Sequence, residues 1–191
     1  MSKQKIFGIE DQQYLGGYIV GGDNDTYCPE IWNWIISNGI KSILDVGCGE
    51  GYSTKYFLDH GIDAIGIEGG KNAIENSKIQ NNIILHDYTK GPYIPCKKYD
   101  AVWCCEFVEH VDEKYIDNFL TTFSYANHIF MTHALPGQGG YHHVNEQEAK
   151  YWIRNIEKNN FIFDQDISLK LRNLSKAKWI KTLLYFKQNT L

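Results

Sequence analysis

Residues 42–57 read SILDVGCGEGYSTKYF: an apolar run, an acid, three glycines at alternate positions, then an amphipathic stretch. An apolar run of this length bounded by glycine reads as a buried strand, and Tyr52, Tyr56 and Phe57 continue it at helical spacing. The join must bend sharply, and Gly47, Gly49 and Gly51 let the backbone turn and approach a ligand with no Cβ in the way. A strand feeding a helix through such a bend is half of a βαβ unit. It therefore points to a parallel sheet with helices outside it.

The same alternation runs along the chain. Ser42–Val46, Ala64–Glu68, Ile83–His86, Ala101–Cys105 and His128–Thr132 read as strands. Cys28–Ser37, Gly51–His60, Ala73–Gln80, Asp112–Ser124 and Glu146–Asn159 read as helices. In the last of these Asn145 stands as the cap, with Glu148 approximating a capping box. Asp166–Leu174 fits a strand through Ile167, Leu169 and Leu171, or a helix through Ile167, Leu171 and Leu174. The helix is the reading adopted, and Leu183–Phe186 closes the sheet. The expectation is a single α/β domain over residues 1–191. Its architecture is a three-layer Rossmann-like sandwich with a mostly parallel seven-stranded sheet.

Composition narrows the functional classes. A chain 43% hydrophobic and 22% charged is neither disordered nor fibrous. No run reaches the roughly 18 apolar residues of a membrane span. The opening MSKQKIFGIEDQQ lacks the apolar core of a secretory signal. Five cysteines without a CxxC pair suggest reduced thiols and a cytoplasmic setting. Cys104 and Cys105, in a predicted buried strand, read as small core residues. A net charge of −4 makes nucleic acid an unfavoured partner, although Lys170, Arg172, Lys176, Lys178, Lys181 and Lys187 form a basic C-terminal segment.

The glycine loop limits the ligand. A nicotinamide fingerprint would place a glycine at Tyr52, and the lysine of a phosphate-cradling loop is missing. An acid, Asp45, before a glycine loop without phosphate chemistry suits a ligand that carries an amine and a carboxylate. Glu68, ending the next strand, can accept hydrogen bonds from both ribose hydroxyls of a nucleoside, and Gly69 leaves room for the sugar. After the third strand, Asp87 can accept an amino proton from adenine, with the Tyr88 backbone or ring beside the base.

Taken together, DVGCGEG, IGIEGG, HDY and YDAVWCCEFVEHV resemble the successive motifs of class I S-adenosylmethionine-dependent methyltransferases, over roughly residues 40–135. The resemblance implies that the glycine loop holds the methionine moiety, Glu68 the ribose and Asp87 the adenine. Residues 1–40 would form a helical cover, 41–135 the cofactor-binding core and 136–191 the acceptor side. Where the family usually has an acid at the tip of the fourth strand, this chain has Cys104-Cys105-Glu106, and Glu106 is the substitute for the amino-group contact. The stretch YDAVWCCEFVEHV is most similar to the branch that methylates small molecules such as quinones and sugars. THALPGQGGYHHVNEQEAKYWI resembles methyltransferases associated with glycan or sugar modification.

Chemistry on the acceptor side rests on histidines. His143, then His133, with His142 beside them, can take the proton of an attacking hydroxyl, because imidazole titrates near neutral pH. Gly137, Gly139 and Gly140 suit a mobile lid. Glu106, His110, His133, His142 and His143 could also supply ligands to a divalent ion. Adjacent histidines rarely face one ion, however, and no HxH or HxxxH spacing occurs, so no metal is assigned. Trp32, Trp34, Tyr14 and Tyr18 either pack in the core or cover the cofactor or an aromatic substrate. The expected function is methyl transfer from S-adenosylmethionine, leaving S-adenosylhomocysteine, to a hydroxyl of a small molecule, a sugar or related metabolite. A nitrogen or carbon acceptor, an RNA or protein substrate, and a non-catalytic cofactor-binding subunit are the alternatives.

Overall fold

The chain opens with two short antiparallel strands, β1 (Phe7–Ile9) and β2 (Gly17–Ile19), followed by helix α1 (Pro29–Ser37). Then come β3 (Ser42–Val46), α2 (Tyr52–Asp59), β4 (Asp63–Glu68), α3 (Lys71–Asn76), β5 (Ile83–Leu85) and β6 (Tyr99–Cys104). The remainder is α4 (Ile116–Phe123), β7 (Ala126–Met131), α5 (Ala149–Glu157), β8 (Phe161–Phe163), α6 (Gln165–Leu174) and β9 (Leu184–Gln188). This computed structural model describes residues 6–10 and 12–190. The first five positions of the opening segment lie outside the described residues.

The large sheet has the order β5-β4-β3-β6-β7-β9-β8. Pairs from β5 to β7 are parallel, and β9 runs antiparallel between β7 and β8. The chain thus works outward from β3 to β5, then returns to β6 on the other side of β3. Strand order reverses between β3 and β6, and ligands bind at such a switch point, beyond the carboxyl ends of the strands.

Alternation within each strand divides the core. Ile43, Ala101, Trp103 and Phe130 face the layer of α1, α2 and α6. Leu44, Val46, Val102, Cys104, Ile129 and Met131 face α4 and α5. Helix α6 is confirmed over the strand alternative, and the Asp164 side chain caps it by accepting the Ile167 N–H at 3.0 Å. Most of the C-terminal cations have local partners. The Arg172 Nε donates to the Leu183 carbonyl, and Lys181 donates to the carbonyls of Arg172 and Ser175. Lys170 and Lys178 lie over the rings of Trp34 and Trp179.

Three local expectations differ. Two-stranded β1–β2 and the turn between its strands replace the expected helical cover, while α1 joins the core through Ile31, Trp32 and Ile35. Helix α5 starts at Ala149 rather than Glu146. Asn145 does not cap it: its Nδ2 donates to the Val111 carbonyl at 3.1 Å. Strand β8 has only three residues, too few to show a period. Among the described residues no helix is long and apolar enough to cross a membrane.

Phe119 of α4 is fully buried and its ring meets those of Tyr88, Phe107, Phe123 and Trp152. Phe119→Ala should lower the unfolding free energy by about 3–5 kcal/mol. Urea denaturation checks this; a loss below about 1 kcal/mol would show that this aromatic cluster does not hold α4 to the sheet.

Candidate functional site

At the end of β3 the Asp45 carboxyl is 2% exposed, and one of its oxygens accepts from both Ser53 Oγ and Thr54 Oγ1 at 2.6 Å. These bonds tie the first turn of α2 to the strand and fix the path of the intervening loop. Burial, only partly offset by the two hydroxyls, raises the Asp45 pKa to about 6. Gly47 has φ +74°, and a Cβ there would lie 2.5 Å from the Phe107 ring, so a side chain is excluded twice over. Gly51 adopts a left-handed conformation as the N-cap of α2 and lines neither of the two cavities described next.

Two adjoining cavities open over the carboxyl ends of the strands. The smaller, about 440 Å³, is bounded by Tyr14, Glu68, Gly69, Asp87, Phe107 and His142. The larger, about 570 Å³, is bounded by Asp45, Cys48, Trp103, Tyr141, His143 and Trp179. Gly17, Gly47, Gly49, Glu106 and His110 line both, which makes them the junction.

In the smaller cavity, Glu68 accepts the Gly49 amide at 2.7 Å and the Gly70 amide at 2.8 Å. Burial raises its pKa against the pull of those amides. Asp87 caps the short turn Tyr88–Lys90 by accepting from Thr89, and its other oxygen accepts the Tyr14 hydroxyl at 2.9 Å. Partial burial works to raise the Asp87 pKa, but the Thr89 and Tyr14 bonds outweigh it and the net direction is down. Tyr88 lines this cavity too, with its ring largely buried among Phe107 and Phe119. The β1–β2 segment straps the cleft from outside, with Glu10 accepting the amides of Asn72 and Ala73 at the start of α3.

At the junction, Glu106 has φ +53° and is held by Thr132, which accepts the Glu106 N–H and donates to its Oε1, both at 2.8 Å. Burial raises its pKa to about 7. Three residues on, Glu109 is 0% exposed. Apart from its own amide and the Glu106 carboxyl beside it, neither of its oxygens has a hydrogen-bond partner among the described residues. Burial first, then the charge of Glu106, pushes the Glu109 pKa well up.

The loop after β7 folds back onto this turn because the Val144 and Asn145 amides both donate to the Glu109 carbonyl at 3.0 Å. That contact brings His143 against His110, with ring centroids 4.9 Å apart. Burial and the neighbouring His143 lower the His110 pKa to about 4. The glycine loop read as a mobile lid is fastened by Glu146, whose carboxylate accepts the Gly137 and Gly139 amides at 2.7 Å and the His143 Nδ1–H at 2.9 Å. The expected histidines separate here. His143 lines the larger cavity and His142 the smaller, whereas His133 is 1% exposed and lines neither, so the structure does not bring it to the junction. The sequence reading missed Tyr14 as the partner of Asp87, Glu109 beside the histidines, and Glu146 as a brace. The signal for Glu109 was an acid next to His110 in the run EFVEH.

A reversal of strand order with a glycine loop and two strand-end acids beside it defines a Rossmann-like domain with a candidate ligand site at the switch point. Comparison with known proteins narrows this. Residues 44–124 match the family model described as "Methyltransferase domain". Ubiquinone biosynthesis O-methyltransferase of Aliivibrio fischeri is 32% identical over 89 residues, 40% of this chain and 37% of the relative. The Acinetobacter baumannii protein of that name is 31% identical over 93 residues, 42% of this chain and 39% of the relative. The chain thus spans under half the length of these relatives. Among solved structures, a TehB-like S-adenosylmethionine-dependent methyltransferase from Corynebacterium glutamicum superposes with a TM-score of 0.65 at 17% identity, over 88% of this chain and 90% of that one. Magnesium protoporphyrin IX methyltransferase from Synechocystis, solved with bound S-adenosylmethionine, gives 0.61 at 13% identity over 84% and 77%. Residues 44–124 thus match a methyltransferase domain, and the fold is the one shared by these S-adenosylmethionine-dependent methyltransferases.

Asp45 gives a pH test of the loop. The folded carboxyl ionises near 6 against 3.8 ordinarily. Between those values the native state keeps a proton that the unfolded chain has released, so stability falls as pH rises, by about 3 kcal/mol in all. Asp45→Asn should remove that component. Unfolding free energies at pH 4 and pH 7 decide it: an unchanged difference between the two in the variant contradicts the assignment.

Proposed function

We propose that the chain transfers a methyl group from S-adenosylmethionine to a hydroxyl oxygen of a small molecule, a sugar or related metabolite. The observation that carries this reading is the meeting of two differently built cavities at Gly47, Gly49, Glu106 and His110. The smaller has the donor–acceptor set of a nucleoside site: Glu68 for the ribose hydroxyls, Gly69 leaving space, and Asp87 with Tyr14 for the base. The cofactor, when bound, supplies a methyl group on a good leaving group, sulfonium. The protein's contribution is alignment of acceptor and methyl group and exclusion of water.

The larger cavity is walled by aromatic rings, including Tyr18, Trp32, Trp103 and Trp179, with Asp23, Asn24 and Glu106 among them. Aromatic walls with a few polar groups suit a ring-shaped polar acceptor. The names of the matched relatives support oxygen as the methylated atom. A hydroxyl must also lose its proton, and His143 reaches this cavity whereas a nitrogen or carbon acceptor would not require it. Local contacts of the C-terminal cations favour a small molecule over nucleic acid as partner, and five free cysteines fit a reducing, cytoplasmic setting.

Ligand binding to the native state stabilises it by mass action. S-adenosylhomocysteine should therefore raise the Tm, while NAD and ATP leave it unchanged. Glu68→Ala should weaken S-adenosylhomocysteine binding by about 1.5–3 kcal/mol, the worth of hydrogen bonds to a charged group. Calorimetry showing NAD bound and S-adenosylhomocysteine not bound would reject the reading. Unchanged affinity in the variant would remove Glu68 from the site.

A further inference from the structure

We infer that Glu109, His110 and His143 bind a divalent metal ion at the acceptor end of the site, and that the acceptor's hydroxyl oxygen completes its coordination. Each of the three residues offers one ligand atom, and these atoms lie within 4.8 Å of one another. Ligand atoms about 2.1 Å from one ion stand at most about 4.2 Å apart. A tetrahedral arrangement places three such atoms about 3.4 Å apart, so the widest pair has to close by up to about 1.4 Å.

Three independent features favour an ion over a plain polar cluster. The first is the Glu109 carboxyl, fully buried, with no ion-pair partner among the described residues and with a second carboxyl, Glu106, as its side-chain neighbour. Burying such a group without a partner is costly, and a dication supplies the missing positive charge. The second is the setting of the imidazoles. The His143 Nδ1 faces the Glu146 carboxylate at 2.9 Å, and the His110 Nδ1 faces the His142 carbonyl at 3.3 Å. Both partners only accept, so both Nδ1 atoms carry the proton and both Nε2 atoms present a lone pair. An acceptor behind the ring of each histidine is the usual support of a metal-binding imidazole. The third is Gly140. A Cβ at this position would overlap the His143 ring at Nε2 and its two neighbouring carbons, so only glycine lets the loop lie against the imidazole and hold it in place.

Two imidazoles and a carboxylate suit manganese, iron or zinc rather than calcium. They leave coordination positions free, and His110 and His143 line the 570 Å³ cavity on that side. An acceptor hydroxyl bound there is acidified. Its proton leaves to solvent water, and its oxygen keeps the electron pair that forms the bond to the methyl carbon. The carbon–sulfur pair returns to sulfur. This role rests on the methyl-transfer reading, and it makes His143 a ligand instead of the group that takes the proton. The ion site itself does not depend on that reading.

The test is titration of Mn²⁺ into the full-length chain, stripped with a chelator and dialysed, followed by calorimetry and by loss of the free Mn²⁺ electron-paramagnetic-resonance signal. One saturable site per chain is expected. Glu109→Gln and His143→Ala should each weaken it tenfold or more, and Glu146→Gln, which loosens the brace, by about 10–100-fold. Far-ultraviolet circular dichroism and the Tm, measured on the same samples, show that the variants are folded, and His143→Ala decides the matter if Glu109→Gln does not fold. Absence of saturable Mn²⁺ binding in the wild-type chain, or unchanged binding in His143→Ala, overturns the inference. Because the readout is Mn²⁺ itself, either result stands whether or not the chain binds S-adenosylhomocysteine.

Discussion

The Glu68 carboxylate holds the Gly49 amide with one oxygen and the Gly70 amide with the other. One side chain therefore clamps the loop after β3 to the loop after β4, and the shape of the smaller cavity depends on that clamp. A carboxylate oxygen has more than one lone-pair direction, so each amide leaves its oxygen able to accept again. A ligand hydroxyl can therefore donate to Glu68 without undoing the bonds that position the carboxylate. Asp45 does the corresponding work one strand away, fastening the start of α2, and with both ends held the glycine loop is preorganised for a ligand. Preorganisation of this kind lowers the ordering cost that binding would otherwise carry.

The junction of the two cavities is built on a different balance. Its acids, Glu106 and Glu109, sit in contact under the histidines, and burial disfavours charge on both. Loop geometry keeps them there: the Val144 and Asn145 amides bond the Glu109 carbonyl, and Glu146 fastens the glycine loop above. Such a carboxyl pair is a poor way to stabilise a fold, since well-packed apolar groups of the same volume do as well or better. Its presence at the junction of two cavities is what a functional constraint looks like.

Much of this was legible in the sequence because strand and helix periods are strong where a sheet is buried on both faces. The five parallel strands, the closing strand and α6 all followed from apolar spacing, and the glycine loop with Glu68 and Asp87 followed from their places at strand ends. What was not legible depends on loops that meet across long separations. Glu109 and His143 come together only because backbone amides from one loop bond a carbonyl in another, and no periodicity encodes that. Glu146 read as the first residue of a helix, yet the helix starts three residues later and the side chain turns back to the loop. His133 read as a pocket residue because it follows β7. Its neighbour Thr132 is the one that bonds Glu106, and the histidine ring is buried away from both cavities.

The methyl-transfer reading requires one ligand to reach from the smaller cavity to the junction, nucleoside in the one and reacting end at the other. A crystal structure of the chain with S-adenosylhomocysteine would show whether it does. The ribose is expected on Glu68, the adenine beside Asp87 and Tyr14, and the sulfur at the junction lined by Gly47, Gly49, Glu106 and His110. Adenine lodged instead among Trp32, Trp103 and Trp179 would contradict that arrangement.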